Sequence, residues 1–285
     1  IKVIPMKMNV LSLFDGISCA KLALDRAGIE YKNYYASEID KHAIECSSWN
    51  HPDIIRLGDI KEWKKWKLDW YKIGYIFAGF PCQSWSVAGQ MQGDKDSRGA
   101  LVHDLIDVWN HVRKYNPDVK FIFENVKMKN EFRDYLDELF GVPSRLINSA
   151  NFSAQNRWRL YWTNLEFDHN ISDGGIVLKN VVAWSRSTRY PKNAERYVES
   201  RERRDGKSNT LTTGSGCGSF SSINYIEEKG EKRKLTPNEC EFLQNLPLDY
   251  TFMLSNAQRY KTIGNGWTVN KIVHLLGGKA WEKKN

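Results

Sequence analysis

Short apolar runs recur along the first half of the chain, each followed by a polar turn and then by helical spacing. Val10-Leu11-Ser12-Leu13-Phe14 reads as a buried strand and Asp15-Gly16 as a turn; residues 18–27 read as a helix, with Gly28 as its C-cap. The same pattern predicts strands over 33–38, 54–57, 75–80 and 120–124 and helices over 41–49 and 101–114. Strands alternating with helices imply an α/β fold with a parallel sheet covered on both faces. Beyond Asn164 helical periodicity fades, and residues 171–220 are rich in Arg, Ser, Thr and Gly. Regular structure resumes at Thr236-Pro237-Asn238-Glu239, a capping box with Pro at the first helical position, which opens a helix through Gln244. A last helix follows Gly266.

Polar residues sit where the predicted strands end. Asp15, Glu38, Asp59 and Glu124 each close an apolar run, and Cys82 follows the run at 75–80. Open α/β sheets bind ligands at the carboxyl ends of their strands, so all of these side chains are expected along one rim. An acidic residue at such a position is also an ordinary helix cap. Four of them together with a Pro-Cys favour a site.

Charge narrows the partner. The formal net charge is +8 and the pI about 9.1, a balance that suits a polyanion such as nucleic acid. The mixed-charge run at 201–207 reads as solvated loop, and 210–216 as a loop able to bring main-chain amides near phosphates or as a plain linker. Residues 61–67 read as a basic helix with buried Trp rather than a DNA contact. The five cysteines, Cys19, Cys46, Cys82, Cys217 and Cys240, are scattered and show no CxxC, which argues against a disulfide framework and a zinc site and for a reducing compartment. No metal is expected, and no run approaches a membrane span.

The strand ends suggest two ligands. Phe14-Asp15-Gly16-Ile17-Ser18 is a tight turn of the kind found in nucleotide sites, without a phosphate-cradling Gly-rich loop. Glu38 suits a pair of ribose hydroxyls and Asp59 an adenine amino group. An adenosyl ligand without phosphates fits best, and S-adenosylmethionine is the obvious one. Cys82 needs an electrophile. No His lies close in sequence, and His103 falls on the following helix, so a Cys-His hydrolase has little support. In a parallel sheet the fourth and fifth strand ends can lie side by side, which would set Glu124 across a small pocket from the thiol. Thiol, carboxyl and methyl sulfonium together define one reaction. The thiolate adds to carbon 6 of cytosine, carbon 5 attacks the methyl group, and the carboxyl group steadies charge on ring N3.

At these residues the chain resembles the DNA cytosine-5 methyltransferase family. Phe14-Asp15-Gly16 is similar to the family's Phe-x-Gly cofactor motif, Pro81-Cys82-Gln83 to its nucleophile motif and Glu124-Asn125-Val126 to its Glu-Asn-Val motif. Gln155-Asn156-Arg157-Trp158-Arg159 is similar to Gln-x-Arg-x-Arg. Leu235-Thr236, Glu239, Leu243-Gln244 and Pro247 resemble the block after the recognition domain, and Tyr260-Lys261 with Ile263-Gly264-Asn265-Gly266 the last motif. The blocks occur in family order over residues 10–276. Compact length is similar to bacterial and phage enzymes, while 11–17 and 264–267 lean toward the eukaryotic de novo branch. Ser18 stands where the family usually has a second Gly, and Trp267 where it usually has a small or β-branched residue.

The resemblance implies a doubly wound, Rossmann-like methyltransferase sheet with a small inserted target-recognition domain. The boundaries would be 1–166 for the catalytic domain, 167–233 for the insert and 234–285 for the C-terminal helices that complete the first. Cys82 would be the nucleophile and Glu124 its carboxyl partner, with Arg157 and Arg159, alternating along a strand, positioning the base. Phe14, Asp15, Gly16, Ile17, Glu38, Ile39, Asp59, Ile60, Pro81, Asn265 and Trp267 would surround S-adenosylmethionine, released as S-adenosylhomocysteine. Gln83, Ser84, Arg98, Thr212 and Thr213 would meet double-stranded DNA, with 84–98 closing over a flipped base. The expected protein is a cytoplasmic monomer of a bacterial or phage-infected cell, or nuclear if eukaryotic; whether a cognate restriction enzyme accompanies it stays open. A tRNA cytosine-5 methyltransferase, an inert DNA-binding scaffold on the same fold and a small-molecule methyltransferase are the rival readings.

Overall fold

A computed structural model describes residues 7–81, 101–187, 205–213, 225–228 and 231–278. Its main sheet has seven strands: β1 (Asn9–Leu13), β2 (Tyr34–Ser37), β3 (Ile55–Gly58), β4 (Ile73–Gly79), β5 (Lys120–Val126), β6 (Arg145–Asn148) and β7 (Trp158–Thr163). Their spatial order is β3-β2-β1-β4-β5-β7-β6. The order reverses between β1 and β4, the switch point at which doubly wound sheets open a crevice. This is a doubly wound, Rossmann-like architecture.

The sheet is mixed rather than wholly parallel. β1 to β5 run parallel, whereas β7 runs antiparallel to both β5 and β6. That difference from the expected sheet has a local cause. The chain passes from β6 through a short 3-10 turn at Ser149–Asn151 straight back into β7, too short a link for a parallel crossover.

The helices are α1 (Cys19–Ala27), α2 (Lys41–Asn50), α3 (Leu101–Tyr115), α4 (Asn130–Phe140), α5 (Leu178–Ser187), α6 (Pro237–Leu243), α7 (Asn256–Asn265) and α8 (Val269–Leu275). Two apolar clusters flank the sheet. One joins Val10, Leu24, Phe77 and Ile122 to α8 and to Leu178, Leu211 and Ile226; the other joins Leu11, Ile76 and Phe123 to α3 and to Phe140. The described parts of 167–233 thus bury side chains in the same cluster as the first strands. They include α5, in a stretch where helical spacing is weak, and a hairpin of β8 (Tyr225–Glu228) and β9 (Glu231–Lys234). Gly28 caps α1 at φ 69°, and the capping box at Thr236 and Glu239 forms in both directions.

Candidate active site

The turn after β1 is built on three left-handed residues, Phe14 (φ 54°), Gly16 (φ 57°) and Ser18 (φ 61°). Nothing lies within 4 Å of the point where a Cβ on Gly16 would sit, so the turn is open on that side. Asp15 turns its side chain inward, fully covered. It accepts hydrogen bonds from the Tyr34 hydroxyl (2.8 Å) and the Ser18 hydroxyl, with the Arg56 guanidinium 3.9 Å away. Burial holds its carboxyl above the usual range, against the pull of those donors and of Arg56. Asp15 therefore offers the rim its main chain, not its carboxylate. Ser18 keeps a conformation that L-residues adopt at a cost, and its bond to Asp15 offsets that cost.

A cavity opens between this turn and the start of α8. Phe14, Asp15, Gly16, Ile17, Gly79, Asn265, Gly266 and Trp267 line it, together with Cys19. The Cys19 thiol is pushed up to about 12 by burial, which makes it packing rather than a reactive group. Ile17 is itself buried, and its carbonyl accepts from the Tyr250 hydroxyl at 2.8 Å. Half-buried Pro81 follows the end of β4 by two residues.

Glu38 closes β2 and reaches back to the turn. Gly16 N–H donates to its Oε2 (2.7 Å), and the N–H groups of Ile39 and Asp40 to its Oε1 (2.8 Å each). Burial raises its pKa, opposed by those three donors. A carboxylate has about four lone-pair sites, so one remains for a ligand hydroxyl. Ile39 is 70% exposed beside it, an unusual setting for an isoleucine unless something covers it. Asp59 caps a 3-10 helix, Ile60–Lys65, by accepting from Lys61 N–H at 3.0 Å. Its role as a helix cap is thus filled. Ile60 points into the core, 3% exposed, which leaves only its main chain for a cofactor. The expected basic helix at 61–67 is this short 3-10 turn.

Sequence placed Glu124 beside the fourth strand end, and the register does so: Gly79 pairs with Glu124. Glu124 is held by two donors. Trp267 Nε1–H donates to Oε2 at 2.9 Å, and Arg159 Nε lies 2.9 Å from Oε1. Arg159 faces Val126 across the β5/β7 ladder, so it is the diagonal neighbour of Glu124. Asn125 contributes a contact the sequence did not suggest. Its side-chain amide donates to the Phe80 carbonyl at 3.2 Å, pinning the chain just ahead of Pro81-Cys82.

Arg157 departs from the expected pairing of both arginines on the base. It lies before β7, is 3% exposed, and donates to the carbonyls of Leu211 (2.8 Å), Gly264 (3.0 Å) and Gly266 (3.2 Å). It ties two loops together, because a guanidinium can satisfy several buried carbonyls at once. Gln244 supports the same loop, donating to the carbonyls of Ile263 and Gly266 at 3.0 Å each. Thr212 and Thr213 are exposed and lie against Gly264, where a Cβ would come within 2.5 Å of the Thr212 carbonyl carbon and oxygen. Cys82, Gln83, Ser84 and Arg98 lie outside the described residues. Among the described residues no group of three His, Cys, Asp or Glu could hold a metal ion, and no helix is long and apolar enough to cross a membrane.

A family model described as C-5 cytosine-specific DNA methylase matches residues 8–195 and 163–278. The chain is 35% identical over 186 residues to the orphan methyltransferase M.Rho11sI of Bacillus phage rho11s, a match covering 61% of this chain and 36% of that protein. It thus spans about a third of that phage relative. With the type II methyltransferase M.HpaII of Haemophilus parainfluenzae it shares 26% identity over 97% of this chain and 90% of that protein. Among solved structures, a DNMT2 mutant of Spodoptera frugiperda superposes with a TM-score of 0.67 at 18% identity, covering 95% of this chain and 99% of the other. That likeness is one of fold.

Proposed function

The chain belongs to the C-5 cytosine-specific DNA methylase family, and from that premise we propose that it methylates carbon 5 of cytosine in double-stranded DNA, with S-adenosylmethionine as donor. The observation that carries the reading is the junction at Gly79. There Gly79 and Trp267, both lining the cavity beneath the Phe14–Ile17 turn, meet Glu124: Gly79, three residues before Cys82, pairs with it across β4 and β5, and the Trp267 indole donates to its carboxylate. The open turn at Gly16 and the remaining lone pair of Glu38 suit an adenosyl group, and Asn265 and Trp267 line the far wall.

S-adenosylmethionine supplies an electrophilic methyl group and leaves as S-adenosylhomocysteine. Cys82 as thiolate adds to carbon 6 of the base, and the electron pair of the 5,6 double bond then makes carbon 5 nucleophilic. Glu124, as the carboxylic acid, donates a hydrogen bond to ring N3 and steadies the negative charge that develops there. Arg159 fixes Glu124 from one side. Arg157 fastens the loops that carry Thr212 and Gly264. After carbon 5 is methylated, its proton passes to water, the carbon 6–sulfur bond breaks, and the thiolate returns. The base must leave the duplex for one pocket to reach both carbons.

Labelled methyl transfer to duplex DNA and to tRNA, measured in parallel, tests the reading. Transfer to DNA is expected; transfer confined to tRNA would overturn it. Bisulfite sequencing of DNA from cells expressing the chain then reads out the target site.

A further inference from the structure

Trp267 touches both halves of the site. Its ring lines the cavity under the Phe14–Ile17 turn, and its Nε1–H donates to Glu124 Oε2 at 2.9 Å. The indole is 9% exposed, and it crosses the end of β4 at Gly79 so closely that a Cβ there would sit 2.8 Å from Nε1. Glu124 Oε1 is occupied by Arg159, so the indole N–H decides where the second oxygen lies.

We propose that Trp267 is a positioning residue for methyl transfer: it holds the Glu124 carboxyl group in line for the base and forms one wall of the donor cavity, so that both reactants are set by one rigid ring. A rigid aromatic is suited to this, because a hydrogen bond made by a side chain with two torsions costs little ordering. The proposal rests on the methyltransferase reading above. It assigns the carboxylate a second anchor besides arginine.

The test compares wild type with Trp267→Phe, which keeps a ring and loses the donor. S-adenosylhomocysteine affinity is measured by calorimetry, and single-turnover methyl transfer to a cytosine duplex at saturating cofactor and DNA. The expected result is affinity within about threefold of wild type and a transfer rate lower by roughly tenfold, the effect of losing one hydrogen bond to a charged group. Replacing Trp267 with benzothienylalanine, which carries sulfur in place of the N–H at nearly unchanged shape, should give the same loss and guards against a folding defect in the Phe variant. A rate within twofold of wild type for the benzothienylalanine protein overturns the proposal. A rate loss matched by an equal loss of cofactor affinity also overturns it, since that is the mark of a cavity wall alone. If wild type itself transfers no methyl group to DNA, the functional reading fails, and not the role of Trp267 within it.

Discussion

At the scale of single residues, the turn after β1 shows how a departure from a motif is absorbed. Ser18 takes the left-handed conformation that glycine would occupy freely, and Asp15 and Tyr34 form the latch that keeps it there. Ser18→Ala removes the latch and leaves the strain, so a loss of about 2 kcal/mol is expected in denaturant unfolding. Ser18→Gly removes both and should lose about 1 kcal/mol less. Equal losses would show that backbone strain at this position is negligible. Glu124 offers a second expectation. Glu124→Gln keeps an acceptor for Trp267 and removes the acid, so single-turnover transfer should fall by about 10²-fold or more while DNA affinity changes little. Retained transfer would remove Glu124 from the chemistry.

Elements set these residues in place, and they differ in how visible they were beforehand. The first five strands and α1 to α3 were legible because each is a clean apolar run or stripe between turn residues. α7 was not, because it buries Arg259 and Thr262, with Arg259 bonded to Glu241 (2.9 Å) and Thr251 (2.9 Å), and so shows no apolar face. The β8/β9 hairpin is short and charged and shows no alternation. At the candidate site, the positions of Glu38 and Glu124 at strand ends were readable from the apolar runs before them. The inward turn of Asp15 and the loop-fastening role of Arg157 were not, because both depend on partners far along the chain. α8 carries one more such residue. Lys271 is fully buried, its Nζ 3.3 Å from the carbonyls of Ile147 and Arg157 and 5.2 Å from the Tyr161 ring centre. Burial, with Arg159 and Arg157 nearby, holds its pKa well below the ordinary lysine value. The unfolded chain therefore binds the proton more tightly, and native stability from this group falls as pH drops from about 10.5 toward the depressed folded value. Lys271→Met does not titrate, so its stability relative to wild type should rise as pH is lowered through that window. A pH-independent difference would contradict this.

For the whole molecule, a doubly wound sheet carries the site on one rim while the net charge of +8 favours a polyanionic partner. Duplex affinity is therefore expected to fall steeply with salt, by roughly 10³-fold between about 50 and 200 mM if six phosphates are contacted. A flat salt response would argue for a small, uncharged substrate. The central claim is that this fold brings a Cys82 thiolate, Glu124 and a methyl donor to one cytosine. A duplex carrying 5-fluorocytosine tests it most directly, because fluorine at carbon 5 cannot leave as a proton does and the sulfur–carbon 6 bond is trapped. With S-adenosylmethionine present, wild type should form a denaturant-resistant protein–DNA adduct whose mass includes the transferred methyl group, and Cys82→Ser should form none. Methylation of ordinary cytosine by wild type with no adduct on the fluorinated duplex, or an adduct that persists in Cys82→Ser, would contradict it.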